Sequence, residues 1–504
     1  MIRARFAPSP TGFLHIGTVR TVLVNILFAR RNNGVVVCRI EDTDKERSKK
    51  EYEDDIMEGL KWLGMDWDEG PDCGGQYAPY RQSERTDIYE RYLQKLLDQR
   101  SLYHCFCTEE ELEFQRKQNV SNKNPQIYNG TCAHLTDDEV KKRIESGASS
   151  VLRFRIPPEK IHFEDLVRGR VEFDGTLIGD VVVAKDTHTP LYGLAVVIDD
   201  HEMKITHVIR GEEHLSNTPK QVLFIKALGF STPIYAHIPL ILNPDRSKMS
   251  KRKNKVSLLD YRAEGYLPEA LINFLALLGW NPGTEQEIFS LPELIEQFSF
   301  ERVQKSGAIF NIEKLQWLNS HYIRALPINE LTSRVLPHLF DQGYLELPKD
   351  DIMKATSFVI NANKETISRD LLEKYIALEQ DRAKVLSEIP PHIAFCLTDT
   401  LEYDPHLLSW KDKSKEETCE MLGLGRDIIK QMKDADFTTP SIEMAIKTEI
   451  TNKGLKNGAV LWPLRVALSG QQNSPGPFEI ADALGKEKTL ERIANAISFL
   501  INFH

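Results

Sequence analysis

The chain has 504 residues, of which 41% are hydrophobic and 27% are charged, and its formal net charge is −10. At roughly 100 to 200 residues per domain, this length predicts three or four domains and excludes a single small binding module. No apolar run approaches the roughly 18 residues of a membrane span and the start of the chain lacks a secretory pattern, so we expect a cytoplasmic protein without a membrane segment.

The first 40 residues predict one βαβ unit. Residues 2–6 form a strand pattern, residues 17–31 have helical periodicity, and residues 35–40 are a nearly continuous β-branched run. Such a run is typical of a strand that is buried in a parallel sheet. Helical patterns follow at residues 49–63 and 83–99.

The periodicity changes after about residue 150. Short alternating segments such as residues 151–156 predict an inserted α+β domain with hairpins. The α/β pattern then resumes with strand-like segments at residues 194–198 and 205–209 and a helix that begins near Thr218. Beyond about residue 327 helical periodicity dominates, so we expect an all-helical carboxy-terminal third with a break near Pro390-Pro391.

The segment His15-Ile16-Gly17-Thr18 lies where the first predicted strand meets the first predicted helix. Backbone N–H groups and the helix dipole attract phosphate at such a point, and Gly17 allows a nucleotide to approach the backbone. A histidine in a simple turn is the commoner interpretation when this motif stands alone.

A second motif is a basic run with five positive side chains between Arg246 and Lys253. Charge runs are usually solvated loops. Here the run follows an apolar stretch, and its core Lys248-Met249-Ser250-Lys251 suits a phosphate-binding loop whose ammonium groups neutralise charge that develops on pyrophosphate.

Two close pairs, Cys105-x-Cys107 and Cys132-x-His134, offer a metal site. Three thiolates and one imidazole make a complete tetrahedral zinc set with no open catalytic position. The one-residue gap within each pair is tighter than usual, so reduced cysteines in a hairpin stay as the alternative.

Together, the two nucleotide motifs resemble the His-Ile-Gly-His and Lys-Met-Ser-Lys-Ser signatures of the class I aminoacyl-tRNA synthetases. Thr18 and Arg252 replace the last residue of each signature, and both departures are typical of the glutamyl- and glutaminyl-tRNA synthetase branch. Residues 5–17, 39–44 and 197–213 are similar to glutamyl-tRNA synthetases. The resemblance is strong over about residues 1–325 and weaker beyond.

The resemblance implies an α/β fold: a class I Rossmann-like catalytic domain, an inserted α+β acceptor-binding domain and an all-helical anticodon-binding region. The expected boundaries are 1–82 and 191–245 for the catalytic halves, 83–190 for the insertion with its zinc site, 246–327 for the Lys-Met-Ser-Lys-Arg loop and stem-contact domain, and 328–504 for the anticodon-binding region. The last region is expected to hold two subdomains that divide near residue 390.

The implied activity is that of a glutamate–tRNA ligase. L-Glutamate reacts with ATP and Mg²⁺ to give glutamyl-adenylate, and the glutamyl group then passes to the 3′-terminal adenosine of tRNA(Glu). Glutamate needs cations for its carboxylates and an anion for its ammonium, and Arg5, Glu41 and Arg210 lie at the ends of predicted strands, where α/β proteins bind ligands.

By resemblance, glutamate is bound by Arg5, Ala7, Ser9, Glu41, Tyr192 and Arg210. The residues implied in ATP binding are His15, Gly17, Glu213, His214, Ile241, Lys248, Met249, Ser250, Lys251 and Arg252. Those implied in catalysis, as charge stabilisers, are His15, Lys248 and Lys251, while Pro8, Ile16 and Thr18 complete the first motif. The resemblance also implies a monomer, and some bacterial members carry a structural Zn²⁺ of this Cys and His form.

Three alternatives remain open at this point. A non-discriminating enzyme would also charge tRNA(Gln), and a non-catalytic tRNA-binding paralogue would use the same scaffold without the chemistry. A nucleotidyltransferase that does not use tRNA would leave the long helical tail after Pro327 unexplained. The intact His15 and Lys248-Met-Ser-Lys251 count against the paralogue, because a binding module has no use for groups that stabilise pyrophosphate.

Overall fold

The computed structural model describes residues 1–122, 125–249, 257–346, 352 and 355–502. The chain forms two compact units, the first made of Met1–Tyr261 and Pro268–Leu315 and the second of Arg262–Leu267 and Gln316–His504. Within the described ranges, no helix combines the length and the apolar character needed to cross a membrane.

The first unit holds the α/β part of the chain. Up to the start of the basic run its elements are β1 (Arg3–Phe6), α1 (Ile16–Arg31), β2 (Val35–Cys38), α2 (Lys50–Trp62), α3 (Thr86–Asp98), β3 (Leu102–Cys105), α4 (Glu109–Ser121), α5 (Asp137–Glu145), β4 (Val151–Phe154), β5 (Lys160–Asp165), β6 (Gly169–Asp174), β7 (Val181–Ala184), α6 (Tyr192–Glu202), β8 (His207–Gly211), α7 (Thr218–Leu228), β9 (Ile234–Ile238) and β10 (Ile241–Leu242). After the basic run come α8 (Leu258–Glu264), α9 (Pro268–Leu277), α10 (Leu291–Gln297), β11 (Ala308–Ile309) and α11 (Ile312–Ala325). Helices α8 and α11 begin in the first unit and end in the second.

A six-stranded sheet with the order β2-β1-β8-β9-β5-β6 forms the centre of this unit. Strand β1 pairs in parallel with both β2 and β8, and β8 pairs in parallel with β9. The predicted βαβ opening is therefore confirmed, and the carboxyl ends of β1 and β8 meet at one edge of the sheet.

The hairpin β5–β6 extends this sheet, although it lies within residues 83–190, the range predicted as the insertion. Asp165 at the end of β5 pairs in parallel with Tyr235 of β9. Strands β3, β4 and β7 form a separate antiparallel sheet instead. The chain of the predicted insertion thus returns to the central sheet before helix α6 begins.

The strand predicted at residues 194–198 is wrong, because these residues form the middle of helix α6. All five are buried. A helix that is apolar on every side shows no helical periodicity, so its sequence is indistinguishable from that of a buried strand.

The second unit is mainly helical, as expected. Its elements after α11 are α12 (Ile328–Asp341), β12 (Ser357–Val359), β13 (Thr366–Ser368), α13 (Arg369–Gln380), α14 (Ile389–Ile393), α15 (Lys415–Gln431), α16 (Thr439–Asn452), α17 (Asn457–Ser469), α18 (Pro477–Leu484) and α19 (Lys486–Asn502). Strands β12 and β13 pair as a short antiparallel ribbon, so the expectation of an all-helical third is wrong in that segment. The prolines near residue 390 occupy the first turn of α14, where a missing N–H costs no hydrogen bond.

Candidate active site

A cavity of about 310 Å³ opens where β1 and β8 end. The motif residues Pro8 and Thr18 line it. All six residues expected to bind glutamate line it as well, namely Arg5, Ala7, Ser9, Glu41, Tyr192 and Arg210. The fold therefore brings together residues that are up to 205 positions apart in the sequence.

A buried ionic network holds two of these side chains. Arg5 Nε donates to Asp200 Oδ1 at 3.0 Å, and Arg39 donates to the same oxygen at 2.7 Å. The other side of Arg39 donates to Glu41 Oε1 at 3.0 Å. Burial raises the pKa of Glu41, against the effect of Arg39 and Arg5, whereas the two arginines outweigh burial at Asp200 and lower its pKa.

The neighbouring carboxylate, Asp199, anchors this network from behind. It accepts hydrogen bonds from Arg85 Nε at 2.7 Å, Gln82 Nε2 at 2.8 Å and the Tyr89 hydroxyl at 2.9 Å. The Asp199 side chain is fully buried. A buried carboxylate of this kind is stable only when it is paired and hydrogen-bonded. These bonds therefore hold α3 and α6 against each other beside the ionic network.

Arg210 occupies the other side of the cavity. Its guanidinium donates to His237 Nε2 at 3.2 Å, to the Thr218 hydroxyl at 2.8 Å and to Gln221 Oε1 at 2.7 Å. Its Nη1 atom is buried and has no hydrogen-bond partner among the residues that the structure describes. Burial lowers the pKa of Arg210. A buried guanidinium with an unused nitrogen is suited to bind a carboxylate.

A second cavity of about 180 Å³ continues from the first. Gly17, Thr18, Thr21, Gly211 and Glu213 line both cavities. Of the other residues expected to bind ATP, those that line the second cavity are His15, Ile241, Lys248 and Met249. His214 lines the first cavity. Ser250, Lys251 and Arg252 fall outside the described residues.

His15 caps helix α1. Its Nδ1 atom accepts a hydrogen bond from the Gly17 N–H at 2.9 Å, so in the neutral ring the proton is on Nε2. Ile16 is buried in the core and lines neither cavity. The motif thus places an imidazole N–H donor at the start of a helix, next to the second cavity.

His214 is held as a neutral ring. Burial and the nearby positive charges of Arg210, Arg5 and Lys248 lower its pKa to about 4. The Tyr192 hydroxyl lies 3.3 Å from His214 Nδ1. Arg20 adds a further cation to the second cavity, and burial lowers its pKa to about 10.

The three expected thiols come together, but His134 does not join them. The sulfur atoms of Cys105, Cys107 and Cys132 all lie within 4.8 Å of one another. His134 is exposed. Instead, the Tyr128 hydroxyl lies 3.5 Å and 3.4 Å from the sulfurs of Cys105 and Cys107.

Sequence reasoning did not assign roles to Arg39, Asp199 and Asp200. Each belongs to a stretch that carries the family resemblance, and two adjacent carboxylates directly after an apolar run are the one local signal. The hydrogen-bond partners of the two carboxylates are 110 to 195 residues away. Only the folded sheet brings these charges together.

The comparisons with known proteins agree with this geometry. Residues 1–317 match the family described as tRNA synthetases class I (E and Q), catalytic domain, and residues 330–497 match an anticodon binding domain. The chain is 44% identical over 497 residues to the glutamate–tRNA ligase of Carboxydothermus hydrogenoformans, with 98% of this chain and 99% of that protein covered. It is 43% identical over 502 residues to the glutamate–tRNA ligase of Desulforamulus reducens, with coverage of 98% and 99%.

Solved structures give the same result. A crystal structure of a glutamate tRNA ligase from Elizabethkingia meningosepticum, in complex with its amino acid, matches with a TM-score of 0.85 at 36% identity and covers 99% of each chain. A glutamate-tRNA synthetase from Elizabethkingia anophelis matches with a TM-score of 0.84, also at 36% identity.

Proposed function

This chain belongs to the class I tRNA synthetases for glutamate and glutamine and is a glutamate–tRNA ligase, and we propose that its two joined cavities bind glutamate and ATP for that reaction. One observation carries the proposal: two buried guanidiniums, Arg5 and Arg210, and one buried carboxylate, Glu41, line a single small cavity. Their charges complement the two carboxylates and the ammonium of glutamate.

In this proposal Arg5 and Arg210 hold the substrate carboxylates and Glu41 holds the ammonium. Ala7, Ser9 and Tyr192 complete the wall. Glutamine carries an amide in place of one carboxylate and would leave a buried guanidinium without its anion. Loss of such a charge-assisted hydrogen bond costs about 1.5 to 3 kcal/mol, roughly ten- to a hundredfold in affinity.

ATP, as its Mg²⁺ complex, is the second substrate and is assigned to the second cavity. The α-carboxylate of glutamate attacks the α-phosphorus, the bond to the bridging oxygen breaks, and pyrophosphate leaves with that electron pair. His15 donates from Nε2, and Lys248 with Lys251 neutralises the charge on the departing group. The tRNA ribose hydroxyl then attacks the glutamyl carbonyl and AMP leaves. Gly17, Glu213, His214, Ile241, Met249, Ser250 and Arg252 are assigned to ATP binding.

We further propose a structural Zn²⁺ held by Cys105, Cys107 and Cys132. The donor chemistry fits, because clustered thiolates are the ligands that zinc prefers. Burial raises the pKa of Cys105, but hydrogen bonds from Tyr128 and Arg153 outweigh burial and lower it. The Tyr128 oxygen lies within 3.5 Å of two of the thiols, whereas the expected fourth ligand, His134, is exposed and outside the cluster, so Tyr128 is our candidate for that position.

The remaining assignments are proposed on the same basis. The domain boundaries given above are kept, except that the hairpin β5–β6 within residues 83–190 is assigned to the central sheet. The region from residue 328 onward is assigned to anticodon binding, and the enzyme is assigned to the cytoplasm as a monomer. Sedimentation analysis of the purified protein tests the oligomeric state.

ATP-dependent attachment of labelled glutamate to purified tRNA species tests the whole proposal. We expect charging of tRNA(Glu) by the wild-type enzyme and at least a hundredfold slower charging by Lys248→Ala. Additional charging of tRNA(Gln) would identify a non-discriminating enzyme. Absence of charging with either tRNA, by a folded protein, would overturn the proposal in favour of a tRNA-binding paralogue.

A further inference from the structure

A chain of buried polar contacts leads from the β5–β6 hairpin to Arg210. His237 on β9 is completely buried. Its Nδ1 atom lies 2.6 Å from Asp165 Oδ2, at the end of β5. Its other ring nitrogen, Nε2, accepts the Nε–H of Arg210 at 3.2 Å and lies 2.9 Å from the Thr218 hydroxyl.

These contacts allow only one protonation state of His237. An arginine Nε–H can only donate, so His237 Nε2 must be an unprotonated acceptor. The ring proton is therefore on Nδ1 and is donated to the Asp165 carboxylate. Burial lowers the pKa of His237 and Arg210 lowers it further, against the opposing effect of Asp165. The neutral ring is thus the form that both neighbours accommodate.

Asp165 is itself held firmly. Its Oδ1 atom accepts the backbone N–H groups of Val167 and Arg168 at 2.9 Å each, and its Oδ2 atom also accepts the backbone N–H of His237 at 3.0 Å. These hydrogen bonds, together with His237, outweigh burial and lower the pKa of Asp165. The carboxylate is therefore ionised and cannot turn away from the ring.

We propose that Asp165 and His237 are positioning residues that aim the Arg210 guanidinium at a substrate carboxylate. Asp165 fixes the tautomer and orientation of His237. His237 then accepts the Arg210 Nε–H, while Thr218 and Gln221 accept hydrogen bonds from Nη2. These bonds occupy one edge of the guanidinium and leave Nη1 for the substrate. This inference rests on the proposed glutamate site and names residues that neither the motifs nor the resemblance identified.

The proposal gives the β5–β6 hairpin a function beyond extending the sheet. Asp165 lies within residues 83–190, the segment assigned to acceptor-stem binding, whereas Arg210 lies on β8 of the catalytic sheet. Arg168, in the hairpin turn, also contacts Glu212 next to the end of β8. The orientation of the amino-acid-binding arginine therefore depends on a hairpin that joins the central sheet from within the predicted insertion.

Steady-state kinetics of tRNA-dependent ATP–pyrophosphate exchange tests the proposal. In Asp165→Asn the amide presents N–H groups to His237, which favours the opposite tautomer and turns an N–H towards Arg210. We expect Asp165→Asn and His237→Leu to raise KM for glutamate by roughly tenfold or more, as for loss of one charge-assisted hydrogen bond. KM for ATP should stay within about twofold of wild type, because the second cavity is not lined by these residues. His237→Gln, which keeps an acceptor oxygen for Arg210, should recover most of the loss.

Two control variants separate this role from a purely structural one. Ile161→Ala removes buried packing from strand β5 but leaves the Asp165–His237–Arg210 contacts in place. It should lower the melting temperature and leave both KM values unchanged.

Arg210→Gln tests the glutamate site itself. If Arg210→Gln leaves KM for glutamate unchanged, the proposed glutamate site fails. If Arg210→Gln raises it but folded Asp165→Asn and His237→Leu stay within about twofold of wild type, the positioning role alone is overturned. A joint rise of both KM values, matched by Ile161→Ala, would also overturn the positioning role.

Discussion

Arg5 and Asp200 form an ion pair, with a distance of 3.0 Å from Arg5 Nε to Asp200 Oδ1, whose side chains are only 4% and 11% exposed. The two residues belong to different elements, β1 and α6, and are 195 positions apart. Their pair orients a guanidinium to which we assign substrate binding, and at the same time it joins the helix to the sheet. Under the proposed assignment, stability and substrate binding depend on the same buried charges.

Replacement of Asp200 by Asn should weaken both properties. Arg5 and Arg39 would both lose the buried carboxylate that they share. Breaking a buried ion pair in this way lowers the free energy of unfolding by about 3 kcal/mol or more. We expect a lower free energy of unfolding and a KM for glutamate that rises at least about tenfold, measured by denaturant unfolding and pyrophosphate exchange. Asp68→Asn removes a partly exposed pair with Arg30 and should cost less than about 1 kcal/mol. Equal costs for the two variants would contradict the central role of the buried network.

Arg5→Gln should reduce the preference for glutamate over glutamine. The substitution removes the positive charge that a substrate carboxylate requires, whereas an amide loses much less. We expect kcat/KM for glutamate to fall by roughly ten- to a hundredfold, with a smaller change for glutamine as a competing substrate. Activation assays with both amino acids measure the ratio. An unchanged ratio would show that Arg5 does not contribute to side-chain selection.

Two substitutions at His15 should separate helix capping from chemistry. Asn keeps a side-chain acceptor for the Gly17 N–H, but it does not extend a donor as far as the imidazole Nε2. His15→Asn is expected to lower the activation rate by roughly a hundredfold, the usual effect of losing one donor to a developing charge, with little loss of stability. His15→Ala should add a stability loss of about 1 kcal/mol, because the cap is lost as well. Single-turnover adenylate formation and thermal unfolding measure the two effects. Wild-type rates in His15→Asn would exclude His15 from catalysis.

The sequence predicted the elements whose signal is local. The strand in residues 35–40 was found from its run of β-branched residues, and the helix at residues 17–31 from its apolar periodicity, because both signals lie within one short stretch of sequence. Helix α6 was mistaken for a strand because both faces are buried. The position of β5–β6 at the sheet edge depends on one pairing between Asp165 and Tyr235, which no local pattern encodes.

The same distinction holds for the site. Arg5, Glu41 and Arg210 could be predicted because each lies near or just beyond the carboxyl end of a strand, where α/β proteins bind ligands, and belongs to a recognisable stretch. The partners that orient them, Asp200 and His237, could not. Both are ordinary residues in sequence, and their importance arises from contacts that span 27 residues for His237 and 195 for Asp200.

Substitutions at the thiol cluster should test the zinc proposal. Cys132→Ser is expected to lose bound zinc, because it removes one of three clustered thiolates. His134→Ala should retain about one zinc per chain, since the exposed imidazole does not join the cluster. Tyr128→Phe should weaken zinc binding if its oxygen completes the site. Metal content after dialysis, measured by mass spectrometry, decides among them. Full loss in His134→Ala would restore the histidine as a ligand, and no zinc in the wild type would overturn the site.

His214 should make the stability of the enzyme depend on pH in a defined window. Its pKa is lowered from 6.5 to about 4, with burial as the largest cause, so the folded protein holds the ring neutral. As pH falls below 6.5 the unfolded chain gains a proton that the folded chain does not accept until about pH 4. The unfolded state is therefore favoured progressively through this window, and above pH 6.5 the effect is absent.

Comparison of the wild type with His214→Gln isolates this effect, because all other titrating groups are shared. The unfolding free energy of the wild type, relative to the variant, should fall by about 1.5 kcal/mol between pH 6.5 and pH 5. Denaturant unfolding at several pH values measures the difference. A difference that stays constant with pH would mean that His214 takes up a proton as readily in the fold as in the unfolded chain. In that case neither burial nor the positive charges of Arg210 and Arg5 would hold the ring neutral in the folded protein.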